Sequence, residues 1–483
     1  MEIEAEWATA ELGDPRRTRR VQAVAARWAA KPGASFPKMV HTEGELAGLY
    51  GLMESRHVDP SELFAAHARA SLERIDAVAL GQTVLVVEDT TTFEFGGESV
   101  RTDVGWVSRS KQGFFAHIAL ALSADGKAQP FGVVGISTIN RERPPPLNKQ
   151  EKAKHDGKAS ASDPNRESLR WGRLVDETSE LLRGHAIPIH ISDRESDSYE
   201  YLSGRVAKQQ RFVARARELN RPVTVSADGS ATKSKLRLVA EASVPVMQRE
   251  AKLSRRATSP LPVTRKRYPP RAERIAQLEF GAERVRIKRP SHLSSELLPL
   301  IELNLVHVRE VNPPTDVEPV EWLLLTSESI DTAEDVTRVV DFYRARWTIE
   351  ELNKAIKTGC QYESRQLEDL QALMIALAIC IPIAWQMLAL RQQSRMTPDA
   401  PASTVLSEPR LEALRTIARK PLPTHPTVLD ALLAIAALGG HIARNGPPGW
   451  QTLRHGLDTL LTVEAAFAAR DAQMRPRPPR SGQ

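Results

Sequence analysis

Three acidic residues of this chain stand where the hard-oxygen ligands of a metal ion are expected: Asp89, Asp193 and Glu350. Asp89 follows the apolar run Val84-Leu85-Val86-Val87-Glu88, and Asp193 follows Ile187-Pro188-Ile189-His190-Ile191-Ser192. A continuous apolar run reads as a buried central strand, and a carboxylate closing it sits at the strand's C-terminal end, where open α/β sheets collect ligands. An aspartate there also caps the next helix in many proteins, so either one alone is ordinary. Glu350 belongs to a helical stretch. At about 100° per residue, Tyr343, Arg346, Trp347, Glu350, Lys354 and Lys357 share one face, and Phe342, Ile349, Leu352 and Ile356 share an apolar one. Glu351 points about 100° away from Glu350. A surface helix laced with i,i+4 pairs, Arg346 to Glu350 and Glu350 to Lys354, has the same pattern. Two strand-end aspartates and a later helical glutamate together offer three oxygen donors suited to Mg²⁺.

The elements that must position these groups divide into three regions. Residues 1–72 read as helical, with Asp14-Pro15 as a start signal and Val21, Val24, Ala25 and Trp28 at helical spacing. Arg16, Arg17, Arg19 and Arg20 cluster at that helix's beginning, which by itself describes a solvated charged face. Residues 73–370 alternate strands with helices and hold all three carboxylates, an α/β pattern. Within them, Arg211 to Arg215 reads as a strand, and about 217–320 breaks into short strand-like runs around the basic stretches Lys252 to Arg256 and Thr264 to Arg271. Trp322 opens another strand ahead of Leu323-Leu324-Leu325, where a tryptophan is ordinarily core or sheet edge. Residues 371–483 read as helical, ending in a Pro- and Arg-rich tail from Met474 expected to be disordered. The run Leu373 to Leu390 is long enough to raise a membrane helix, but Pro382 and Gln386 interrupt it and no second span accompanies it, so a buried helix is expected.

Composition narrows the field only a little. The chain has 483 residues and 66 Lys+Arg against 60 Asp+Glu, an excess of 66 − 60 = +6. That is a mild bias towards polyanions. Cys360 and Cys380 are too few for a disulfide framework or a zinc site and suit a reducing cytoplasm, and the acidic N-terminus lacks the features of a secretory signal.

Three blocks carry a resemblance. Glu88-Asp89-Thr90-Thr91, Asp193-Arg194-Glu195-Ser196-Asp197 and Tyr343-x2-Arg346-x3-Glu350-x6-Lys357 are similar to the catalytic blocks of bacterial cut-and-paste DDE transposases of the insertion-sequence-four family, the transposon-five-like transposases among them. Glu11-Leu12-Gly13-Asp14-Pro15-Arg16-Arg17-Thr18, Trp322 to Ser327 and Leu438-Gly439-Gly440 resemble the same group, so the likeness spans nearly the whole chain. It implies a ribonuclease-H-like core interrupted by a β-rich insertion, flanked by an N-terminal helical DNA-end-binding domain and a C-terminal helical dimerisation domain. It further implies two Mg²⁺ ions on Asp89, Asp193 and Glu350, with Mn²⁺ able to stand in, and double-stranded DNA as substrate, both terminal inverted repeats and target. Tyr343, Arg346 and Lys357 would grip phosphates beside the break, with Lys354 on their face and Arg194 and Arg215 near the site. Trp322 resembles the tryptophan that stacks on a base flipped from the DNA end. Arg16, Arg17, Arg19 and Arg20 would meet the terminal repeat, in a homodimer working at the bacterial nucleoid. The chain departs from the family where Gly51 follows Tyr50 in place of an arginine, and where Gln366, next to Arg365, replaces a basic residue.

Alternatives stay open. A ribonuclease-H-like nuclease would share the carboxylates without joining DNA, and a decayed relative would only bind it. The apolar pattern Ala431 to Leu438 fits a pairing surface and an intramolecular bundle equally.

Overall fold

The computed structural model describes residues 3–97, 100–143, 166–227, 230–256, 258, 262, 269–315 and 317–474. The apolar runs become strands, with Val84, Leu85, Val86 and Val87 all buried. Along the chain β1 is Thr83–Phe95, β2 Gln112–Ser123, β3 Pro130–Ile139, β4 Ile187–Ser192, β5 Arg211–Arg215, β6 Pro222–Ala227, β7 Ser230–Lys235, β8 Pro245–Leu253, β9 Arg274–Lys288, β10 Leu300–Val311 and β11 Glu321–Thr326. The helices are α1 Pro15–Ala30, α2 Phe36–Met39, α3 Glu43–Met53, α4 Pro60–Ala79, α5 Arg170–Leu181, α6 Tyr199–Ala207, α7 Leu236–Ala242, α8 Ala333–Ala345, α9 Trp347–Lys354, α10 Leu370–Met396, α11 Glu408–Ile417, α12 Val428–Leu438 and α13 Trp450–Met474.

One mixed sheet runs through the molecule in the order β3-β2-β1-β4-β5-β11-β10-β9-β6-β7, with β8 beside β9. β1, β2 and β3 are antiparallel, whereas β1, β4 and β5 are parallel. The β-rich segment expected at 217–320 extends this sheet instead of leaving it, because β11 pairs β5 from Leu324↔Arg215 to Thr326↔Val213. β1 also differs from expectation: it does not end at Asp89. Its parallel pairing with β4 stops at Val87↔Ile191, while its antiparallel pairing with β2 continues to Phe95↔Gln112. Asp89 therefore lies mid-strand, at the point where β1 parts from β4.

The N-terminal helices form as read. Asp14 caps α1 by accepting from the Arg16 amide, and Val21, Val24, Ala25 and Trp28 are buried. The boundary placed between residues 72 and 73 falls inside α4, which packs on β3. One apolar cluster takes in Trp28, Val87, Leu373 and Leu460, so the three regions share a core. Arg365 is part of the join. Its buried guanidinium donates to the carbonyls of Pro32, Ala34 and Cys360 and lies over Trp28 and Phe36. On the other side of the same loop, a Cβ added to Gly33 would sit 2.4 Å from Arg454 of α13. α10 is long and apolar enough to cross a bilayer, but 83% of its most apolar window is buried inside the protein, as in a soluble protein's core helix. Cys360 and Cys380 are free and buried. Thr264 to Tyr268 of the basic stretch and the tail from Arg475 lie outside the described residues.

Candidate active site

Where β1 parts from β4 a cavity of about 1710 Å³ opens, lined by Asp89, Asp193 and Glu350. Asp193 follows β4 directly and caps the short turn Arg194–Ser196, accepting from the Glu195 amide at 2.8 Å. Asp89 accepts one hydrogen bond, from the Thr90 amide at 3.0 Å. Burial, opposed by Arg346 and reinforced by the charges of Asp193 and Glu350, pushes the Asp89 carboxyl up to about 7. The neighbouring Glu88 is fully buried against His190, and burial raises its pKa too. Asp197, in the second block, accepts from the Arg217 and Glu218 amides and pairs with Arg221, so its place is structural.

The helix carrying Glu350 is broken in two. At Arg346 two successive i→i−3 bonds, Arg346 N to Tyr343 O and Ile349 N to Arg346 O, tighten the turn between α8 and α9. The core face forms as the wheel describes, with Phe342, Ile349, Leu352 and Ile356 buried. Arg346 reaches Glu350 at 2.7 Å. Burial works against the Arg346 charge, but Tyr343, Asp89 and Glu350 outweigh it and raise its pKa. Tyr343 packs edge-on to Trp322 with ring centroids 5.1 Å apart, and both line the cavity. Arg215 donates to the Glu321 carbonyl, and burial lowers its pKa. Arg194 and Arg215 also face the cavity.

Two lysines depart from the wheel and do not line the cavity. Lys354 turns to Glu351 at 3.1 Å and to the Trp347 ring at 4.8 Å, because Glu350 is already taken by Arg346. Beyond it the chain enters a π turn, Ala355–Gly359, which advances by fewer degrees per residue than an α-helix and swings Lys357 onto the Thr92 carbonyl of β1. Arg16, Arg17 and Arg20 line a separate groove of about 190 Å³ beside Gly51. Arg19 is exposed on α1 and bonds back to the Pro15 carbonyl at 3.4 Å. Sequence reasoning missed a further set of cations lining the large cavity. Arg249, Lys252 and Arg256 on and after β8, with Arg271, line the same cavity as the carboxylates. Their basic stretch was visible, but nothing local tells that β8 folds back over the site.

Comparison with known proteins adds what geometry cannot. Residues 3–58 match the family model for a transposase DNA-binding domain, and residues 197–385 match that for a transposase DDE domain. The chain carries the domains of a DDE transposase. The first match contains Arg16, Arg17, Arg19 and Arg20; the second contains Trp322, Tyr343, Arg346 and Glu350 and begins after Asp89 and Asp193. Among solved structures, a cryo-EM structure of the piggyBac transposase synaptic complex with hairpin DNA is similar at 11% identity and a TM-score of 0.35, covering 99% of this chain and 81% of that one. So faint a likeness carries no argument on its own.

Proposed function

We propose that this transposase cuts and pastes DNA in the manner of the insertion-sequence-four family, with Asp89, Asp193 and Glu350 as its reaction centre on a ribonuclease-H-like core. The observation that carries the reading is the convergence of three carboxylates, from β1, the end of β4 and α9, in a cavity walled by arginines. The strand order β3-β2-β1-β4-β5, antiparallel then parallel, supports the fold reading.

A divalent ion suits this donor set. Asp89 has an excess of negative neighbours that a cation would neutralise, and all three donors are hard oxygens. Among the described residues no three such groups stand close enough to hold an ion together as placed, so the three carboxylates would draw together on an ion, with Glu350 exchanging its Arg346 partner for it. Two Mg²⁺ ions, or Mn²⁺ in their place, held by Asp89, Asp193 and Glu350 would supply activation of an attacking oxygen and stabilisation of the leaving 3′ oxygen.

The chain's own residues then do the holding. Arg346, released from Glu350, turns to a phosphate oxygen, and Arg194 and Arg215 flank the same strand. Trp322, braced edge-on by Tyr343, offers a face for an extruded base. Nicking, hairpin formation, hairpin opening and strand transfer can share this one centre, since each replaces the leaving 3′ oxygen on phosphorus by an incoming one, water's in nicking and hairpin opening and a DNA 3′ hydroxyl's in hairpin formation and strand transfer. Lys354 and Lys357, both turned away from the cavity, take no part in this reading. Two copies would act together, paired through the C-terminal helices, where Leu429 and Leu433 of α12 are exposed.

A linear DNA fragment bearing the ends of the element that encodes the chain tests the proposal. Purified protein with Mg²⁺ should nick and hairpin it, and Asp193→Ala should bind it without cutting. Wild type that binds but leaves the fragment as intact as the variant does would mean a DNA-binding protein only. Nicks never followed by hairpins or joining would mean a nuclease.

A further inference from the structure

Glu351 is adjacent to Glu350 and borders the same cavity, but its partners are different. Its carboxylate is buried and gathers partners from three elements: it accepts from Lys354 of α9 at 3.1 Å and from the indole nitrogen of Trp450, first residue of α13, at 3.2 Å, and forms an ion pair with Arg391 of α10 at 3.1 Å. Arg395, one turn beyond Arg391, stands 3.8 Å away and also lines the carboxylate cavity. Arg391 lies over the Trp450 ring at 4.7 Å, so guanidinium and indole brace one another while both hold the same carboxylate. A carboxylate held by two hydrogen bonds, from Lys354 and Trp450, and by the Arg391 ion pair resists rearrangement, whereas Glu350, with one arginine partner, does not.

We infer that Glu351 is a positioning residue, through which α10 and the start of α13 fix the orientation of α9 and so aim Glu350 at Asp89 and Asp193. The inference rests on the reading of Glu350 as a metal-binding carboxylate. α9 is only eight residues long and lies between a tightened turn at Arg346 and a π turn from Ala355, so its backbone ends alone hold its rotation loosely. An axial rotation by one residue would carry Glu350 about 100° off its target. The buried Ile349 and Leu352 restrain α9 from its core side, and the Glu351 link adds a polar restraint on another side, one that comes from the C-terminal region rather than from the sheet.

Glu351→Gln and Trp450→Phe, both near in size, test it in full-length protein. Three quantities are read: affinity for DNA ends, cutting rate at saturating DNA as Mg²⁺ is varied, and direct Mn²⁺ binding by the loss of free-ion paramagnetic resonance. Each variant should keep wild-type DNA affinity yet cut about ten-fold more slowly and need several-fold more Mg²⁺ for half-maximal rate, with Mn²⁺ affinity reduced to match. Wild-type cutting accompanied by unchanged Mg²⁺ dependence in both variants would overturn the positioning role alone. Parallel losses of DNA affinity and melting temperature would show Glu351 to be structural only and also overturn it. Wild type that neither cuts nor binds Mn²⁺ would overturn the metal-site reading and this inference with it.

Discussion

Glu6 and Asp89 are both carboxylates withdrawn from water, and their surroundings differ in kind. Glu6 accepts from His67 Nδ1 at 2.6 Å and from Arg74 at 2.7 Å. The second nitrogen of His67 accepts the Val133 amide of β3 at 3.1 Å, and Arg74 lies 3.9 Å over the Trp385 ring of α10. Burial alone would raise the Glu6 pKa, but its two partners outweigh burial and lower it. Asp89 has one local hydrogen bond, one cation, Arg346, against two like-charged neighbours, and a carboxyl that burial pushes up to about 7. The first cluster spends its charges on docking the N-terminal segment against the core. The second leaves charge uncompensated where a cavity opens, and uncompensated charge is what a ligand can answer.

The strongest way to break this contrast is to remove charge from each cluster. Asp89→Asn should lower the rate of DNA-end cutting by about 10³-fold or more, the scale on which groups facing a reacting phosphate act. Its melting temperature should stay level or rise, since a like-charge repulsion is relieved. A fall of several degrees would make Asp89 structural. Glu6→Gln should do the reverse: stability drops by about 3 kcal/mol, as when one partner of a buried pair is lost. Denaturant unfolding measures the drop, and cutting by the remaining folded protein at low temperature should persist.

Acid offers a finer test of the same cluster. The Glu6 carboxyl is lowered from 4.5, so its contribution is present above that value and is lost as pH falls through the folded pKa. His67 is lowered from 6.5, chiefly by burial, so the unfolded chain takes up that proton first as pH falls below 6.5. Both effects weaken the fold on acidification, and protonation of His67 also removes the acceptor for Val133. Stability should decline by up to about 1.4 kcal/mol per pH unit below 6.5. A melting temperature constant from pH 7 to 5 would show that His67 takes up its proton as readily in the folded chain as in the unfolded one.

How legible these features are in sequence follows from how local their causes are. Asp14-Pro15 opens α1 as read, and the helical wheel separates Glu350 from Glu351, because capping and periodicity act within a turn or two. Reading failed where a partner strand or a distant residue decides. β1 runs on past Asp89 because β2 continues beside it, and Lys357 leaves its wheel position because a π turn intervenes. The Glu6–His67 contact spans 61 residues with no local pattern to announce it. Arg365, read as the neighbour of a missing DNA contact, is instead buried in the joint between the N-terminal loop and the core.

The same distinction between committed and uncommitted charge sorts the N-terminal arginines, where the expected effects are smallest. Arg17 donates to the Leu12 carbonyl at 2.8 Å and is only partly exposed, so it is committed to holding the chain that leads into α1. The guanidinium groups of Arg16 and Arg20 have no partner among the described residues, and both line the groove beside Gly51, where an added Cβ would meet nothing within 4 Å. If they contact phosphates, Arg16→Ala and Arg20→Ala should each weaken binding alike on all DNA sequences and reduce the slope of log affinity against log salt by about 1. Arg17→Ala should instead lower the melting temperature at an unchanged salt slope. Equal slopes in all three variants would place the DNA elsewhere on the N-terminal region, and a loss confined to one sequence would make that arginine a reader of bases.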